Sequence, residues 1–152
     1  MRRWRSLIAA GMVAVAGLAL IGDVVEAGGQ PMSTSLSGAE EAPGPGDANA
    51  TGHADLTFNQ GLGEICFDLS WADIDGTVFA AHIHDGDAGT PGPIVVMLFM
   101  ENFAGTDSTS GCVEGVDPAL VKDIRKNPSS YYVNVHSVPD FPGGAVRGQL
   151  GD

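Results

Sequence analysis

The apolar periods of this chain are short and alternate, and that pattern constrains its fold more than any other feature. HADLTFN (53–59) puts Ala54, Leu56 and Phe58 on one side and His53, Asp55 and Thr57 on the other. EICFDLSW (64–71) repeats the alternation, with Ile65, Phe67 and Leu69 opposing Cys66, Asp68 and Ser70. A period of two over such lengths reads as a strand with one buried face. MSTSLSG (32–38), TVFAAHIH (77–84), GPIVVMLF (92–99), STSGCVEG (108–115), SYYVNVHS (130–137) and GGAVRGQL (143–150) are further strand candidates. Turn-forming stretches such as EEAPGPGDANATG (40–52) separate them. GPIVVMLF is apolar throughout, which predicts a strand covered on both faces, with Met97 packed in the core; a thioether ligand for Cu(I) beside histidines is the alternative for Met97. DPALVKDIRKNP (117–128) alone carries helix signals: Asp117 as cap, Pro118 in the first turn, and Lys122, Arg125 and Lys126 towards the end. Seven or eight short strands and one short helix predict an all-β fold, an antiparallel Greek-key β-sandwich.

The N-terminus has a different character. MRRWR precedes the apolar run LIAAGMVAVAGLALIG, and small residues stand near Ala27. That is the layout of a secretory signal peptide, and the run is short for a membrane-spanning helix of ~20 residues. The expectation is a leader at 1–27 and a single folded domain at 28–152, exported to the periplasm or secreted. The formal net charge is −12 at pH 7. Three of the seven basic residues lie in the leader, so the mature chain is more acidic still. Such a surface repels nucleic acid and anionic lipid, both of which reward basic patches, and it attracts cations. Partners are therefore expected to be a metal ion or an extracellular protein, with no membrane contact after cleavage. The two cysteines, Cys66 and Cys112, are expected to form a disulfide in an oxidising compartment. Their spacing lacks a CxxC thiolate signature. A bridge closing a loop of that length contributes roughly 4 kcal/mol at most in the chain-entropy picture.

The residues able to carry chemistry gather in AAHIHDGDAGT (80–90). Side chains two apart on a strand share a face, so His82 and His84 project together while Ile83 turns to the core. His136 ends another strand, on the face shared with Asn134. If the two strands meet at the same end of the sheet, three imidazoles lie near one point, a donor set suited to copper or zinc. The competing reading is structural: strand-end histidines bonded to nearby carbonyls or carboxylates. Asp85 and Asp87 resemble the opening of a calcium loop but lack its later glutamate. They read as turn formers, with Asp85 placed to orient His84 or His136. Arg147 is expected to pair with a carboxylate, or to contact an anion beside a metal. His53 falls on a polar strand face and reads as solvated. Serine-nucleophile, P-loop and dinucleotide-binding signatures are missing from the sequence.

In combination, LSGAEEAPG, AAHIHDGDAGTPGPIVV, NPSSYYVNVHSVPDFPGGAVRGQL and the two single cysteines resemble a CHRD (chordin-type) domain over residues 32–150. The resemblance implies a compact extracellular β domain and does not imply an enzyme. A fainter likeness, in AHIHDGD, NVH and GGAVRGQL, is to copper–zinc superoxide dismutases. On it, His82, His84 and His136 match the copper ligands and Arg147 the anion-guiding arginine. No histidine stands between His84 and His136, so the bridging ligand and most of the zinc site have no counterpart. These readings lead to an exported metal binder without turnover, copper first and zinc second. An extracellular binding or scaffold module with structural histidines is the alternative, and a dismutase-like redox enzyme is the third.

Overall fold

The structure is a computed structural model describing residues 29–151; the expected signal peptide lies outside the described residues. Among the described residues there are eight strands: β1 (Gln30–Ser37), β2 (Thr51–Asn59), β3 (Glu64–Ala72), β4 (Thr77–Asp85), β5 (Ile94–Phe103), β6 (Ser108–Val113), β7 (Tyr131–Val138) and β8 (Val146–Gln149). An α-helix, α1 (Pro118–Lys126), and a short 3-10 turn at Pro128–Ser130 join β6 to β7. Every strand expected from the sequence is present, and the fold is all-β.

The strands hydrogen-bond in the order β5-β4-β7-β8-β1-β2-β3-β6, and every pairing is antiparallel. The sheet curls back on itself, so that the two layers of a sandwich are the two halves of one nearly closed sheet. Aromatic contacts between the halves link β3 to β5: Phe67–Phe99 at 6.2 Å, Trp71–Phe99 at 6.3 Å and Trp71–Phe103 at 5.8 Å. The alternation in β2 and β3 resolves as expected, with Ala54, Leu56, Phe58, Ile65 and Leu69 at 1 % exposure or less. Ile83, Val133 and Val135 meet them from the other half. Each large apolar side chain buried this way contributes about 1.5–3 kcal/mol.

Helix α1 begins where Asp117 accepts a hydrogen bond from the Ala119 amide at 2.8 Å, with Pro118 in the first turn. Val121 and Ile124 are its buried side chains, and Arg125 and Lys126 occupy its last turn. Cys66 and Cys112 stand opposite each other in the β3–β6 ladder and are joined by a disulfide.

β5 departs from its expected role. It is an end strand in the hydrogen-bonding order, and among the described residues no element covers its outer face. Val96, Leu98 and Phe99 are buried, whereas Ile94, Met97 and Met100 are 51 %, 46 % and 62 % exposed. Met97 is therefore not a core residue. Hydropathy reported that these side chains are apolar and carried no information about whether another element lies over them.

β4, β7 and β8 show the opposite behaviour. Their outward side chains, mostly polar, are buried too. The loops 38–50, 85–93 and 139–145 fold over that side and create a second, polar layer outside the barrel wall.

Candidate metal centre

Strand register arranges this outer layer as a grid. One row runs Met97, His82, Asn134, Arg147 across β5, β4, β7 and β8. Beside it lies the row Ile94, His84, Tyr132, Gln149, and on the other side Met100, Ala80, His136. His82 and His84 share a face of β4, as their spacing required. Ala80 is small, which leaves room between them and His136 on the next strand. The imidazole centroids are 4.8 Å apart for His82–His136, 5.6 Å for His82–His84 and 6.3 Å for His84–His136. One nitrogen from each ring lies within 4.8 Å of the others.

The hydrogen bonds fix the tautomers by elimination. His136 Nδ1 lies 3.1 Å from the Pro142 carbonyl, and His84 Nδ1 lies 2.9 Å from that of Gly92. A carbonyl only accepts, so both Nδ1 atoms carry the proton and both Nε2 atoms present lone pairs. His82 Nδ1 is 3.0 Å from His136 Nε2 and must donate to it. The His82 Nε2 atom is then also a lone pair. Among the described residues, His82 Nε2 and His84 Nε2 are buried without a hydrogen-bond partner, as is Asn134 Oδ1. Buried acceptors are nearly always paired, so two bare imidazole lone pairs beside a third, shared one call for an explanation.

The electrostatics keep the rings neutral. Burial, reinforced by the neighbouring His136 and His84 rings, pushes the His82 pKa down to about 4. Burial also lowers His84 and His136, opposed in each case by the carbonyl bond to Nδ1. Neutral imidazoles with fixed Nδ1–H groups are the form that ligates metal. Anchoring of the distal ring nitrogen by a carbonyl is the usual outer support of a histidine ligand. With metal–nitrogen bonds of 2.0–2.1 Å, tetrahedral ligand nitrogens sit roughly 3.3 Å apart. The rings need close in only modestly on an ion.

Local sequence explains the carbonyls. A Cβ on Gly92 would come 1.7 Å from the Asp85 carbonyl oxygen, so only glycine lets the 85–93 loop fold back onto the end of β4 and aim its carbonyl at His84. Gly144 has φ +140, and a Cβ there would meet the Glu41 carboxylate and the Asn134 amide. Asn134 Nδ2 donates to Glu41 Oε1 at 2.5 Å. Burial pushes the Glu41 pKa up to about 7, offset in part by the positive charge of Arg147 and by the Ala42 amide.

His82, His84 and His136 thus converge. Asp85 does not join them: it is exposed, and among the described residues its carboxylate bonds neither His84 nor His136. The Gly92 and Pro142 carbonyls orient those rings instead. Although its charge acts on Glu41, Arg147 makes no direct salt bridge with a carboxylate among the described residues. It is 1 % exposed, and its guanidinium donates to the carbonyls of Thr90 and Asp87 at 2.9 Å and to Gln149 Oε1 at 3.2 Å. It also lies 3.4 Å from the centre of the Tyr132 ring. Its donors hold the 85–93 loop and are not offered to an incoming anion. His53 is 47 % exposed and sits 3.4 Å from Asp55, as a solvated residue should.

Sequence reasoning missed Tyr132, which stacks on His84 at 4.7 Å with planes 9° apart and accepts from the Gly92 amide. Its place two residues before Asn134 was the available signal. Glu41, 93 residues before Asn134 in sequence, gave none. A second grouping of metal-ligand types, Glu64, Cys66 and Cys112, offers no thiolate, because both sulfurs are in the disulfide. Comparison with curated proteins and with solved structures finds no match. A family model does match, that of the CHRD domain, over residues 32–150.

Proposed function

The chain belongs to the CHRD domain family, and from that premise we propose that this member is an extracytoplasmic metal-binding domain whose three histidines hold one transition-metal ion, copper before zinc, without turnover. The carrying observation is the pair of buried, unpartnered Nε2 atoms on His82 and His84, next to a His136 Nε2 shared with a neighbouring ring. Three neutral imidazoles suit copper and zinc alike. Binding requires His82 to release its hydrogen bond to His136, so the ion takes over the linking role that a proton fills between those rings. The disulfide fits an oxidising location. The engagement of the Arg147 guanidinium with carbonyls and Tyr132 argues against the anion-guiding role of a dismutase-like enzyme.

Competition titration of the metal-free protein with Cu(I), Cu(II) and Zn(II), beside a His82→Ala/His84→Ala variant, tests this reading. One tight equivalent, lost in the variant, is the expected result. Weak binding that persists in the variant overturns it. That outcome favours the scaffold reading, for which the bonds from His84 and His136 to the Gly92 and Pro142 carbonyls are the supporting observation: the rings would then serve to tie two loops to the strand ends.

A further inference from the structure

The row that contains His82 continues outward to Met97. The two residues are register partners in the β4–β5 ladder and share the outer face. Directly opposed residues of regular antiparallel strands hold their Cβ atoms ~4.5–5.5 Å apart; here the register shifts on either side of the pair, between Ala81 and His82 and between Ile83 and His84. A methionine side chain, with three rotatable bonds and a polarisable sulfur, spans that gap readily. Met97 is 46 % exposed and stands outside the buried core cluster. The neighbouring outward positions on β5, Ile94 and Met100, are apolar and more exposed. The histidine cluster is thus walled by carbonyl-bearing loops on one side and by flexible apolar side chains on the β5 side.

We propose that Met97 supplies a thioether ligand to the ion held by His82, His84 and His136, and that this ligand gives the site its preference for Cu(I). The inference rests on the metal-binding reading above and adds to it the fourth ligand and the oxidation state. Soft thioether sulfur selects Cu(I), whereas zinc is held by imidazole, thiolate and carboxylate. A site of three imidazoles alone does not separate the two metals in this way. Met100 serves as an internal control, since its register partner is Ala80 and not a histidine.

The test compares Met97→Leu and Met100→Leu with the wild-type chain. Cu(I) affinity is measured anaerobically against a chromophoric chelator, Zn(II) affinity by competition, and the copper environment by X-ray absorption. Both substitutions lie at exposed positions and keep apolar volume, so folding is expected to be unchanged. The expected result is a loss of Cu(I) affinity of about tenfold or more in Met97→Leu, corresponding to about 1.4 kcal/mol. Zn(II) affinity stays level, Met100→Leu behaves as wild type, and a copper–sulfur signal present in the wild type disappears in Met97→Leu. Nitrogen-only copper in the wild type, undiminished Cu(I) binding in Met97→Leu, or a loss that follows Met100→Leu overturns the role of Met97 while leaving the histidine site standing. If the wild-type chain binds neither metal, or binds both independently of His82 and His84, the underlying reading fails as well.

Discussion

At the scale of single residues, the site sets two opposed proton linkages. The histidines have folded-state pKa values below their ordinary value of 6.5, with His82 near 4. The unfolded chain therefore binds protons first as the pH falls, and the stability contributed by the neutral rings is present above pH 6.5 and lost towards pH 4. Glu41 runs the other way. Its pKa rises from 4.5 to about 7 on folding, so its contribution is present below pH 4.5 and lost as the pH rises through 7. The two trends overlap between pH 4.5 and 6.5 and partly cancel. Glu41→Gln keeps an acceptor for Asn134 and separates them. The variant gains on wild type as the pH moves from 5 to 8, and in its background the denaturation midpoint of metal-free protein falls monotonically from pH 7 to pH 4. Urea midpoints across that range check both statements, and a pH-independent difference between variant and wild type contradicts the Glu41 assignment. The histidine trio was legible at this scale because strand parity is rigid: i and i+2 share a face whatever the rest of the fold does. The Glu41–Asn134 contact was not legible, because no local rule links a residue in a proline-rich loop to a strand far along the chain. Nor were the partners of Arg147, since backbone carbonyls carry no side-chain signature.

At the scale of elements, the 85–93 loop is the part on which the site depends. Arg147, Gln149 and Tyr132 all bond its backbone, and it returns the Gly92 carbonyl to His84. Gly92→Ala forces that loop off the end of β4. The expected cost is about 1–3 kcal/mol of stability, together with a fall in metal affinity of roughly 10–100-fold through loss of the His84 support. Equilibrium unfolding and metal competition read the two effects separately, and unchanged affinity in a destabilised variant removes the loop from the account. The disulfide acts at the same scale but on different strands. Replacing Cys66 and Cys112 with serine lowers stability by up to about 4 kcal/mol, seen as a lower denaturant midpoint. Strands and helix were legible in number and place, because alternation, the Asp117 cap and the Gly- and Pro-rich turns all agreed. Their ends differ by up to four residues, as where β5 runs on to Phe103 and β8 is confined to Val146–Gln149. β5 was misread because an apolar run records side-chain chemistry, and the uncovered outer face that exposes Met97 is a property of the assembled sheet.

At the scale of the whole molecule, charge and site make separable claims on cations. A chain with a formal charge of −12 gathers metal ions diffusely, and that attraction is screened over about 10 Å at 0.1 M salt and over less at higher salt. A buried ligand set is screened far less. Raising the salt to about 0.5 M should therefore strip weakly bound ions and leave one equivalent per chain, read by metal analysis after gel filtration. A saturating ion also stabilises the fold by mass action, about 2.7 kcal/mol at a hundredfold excess over Kd. The sequence conveyed the class of architecture through the number and spacing of its strands. It could not convey that the sheet is one curled surface, because closure depends on which end strands meet, and β5 and β6 are both read as ordinary strands in isolation. We propose one metal site formed by three neutral histidines, of which His84 and His136 are anchored by backbone carbonyls and His82 by the ring of His136. The most direct measurement is anomalous diffraction from crystals of the copper- or zinc-loaded protein. The expected result is a single peak within about 2.0–2.1 Å of His84 Nε2, His136 Nε2 and one nitrogen of His82, with the Gly92 and Pro142 bonds retained. Peaks confined to surface carboxylates, with the His82–His136 hydrogen bond intact, would contradict it.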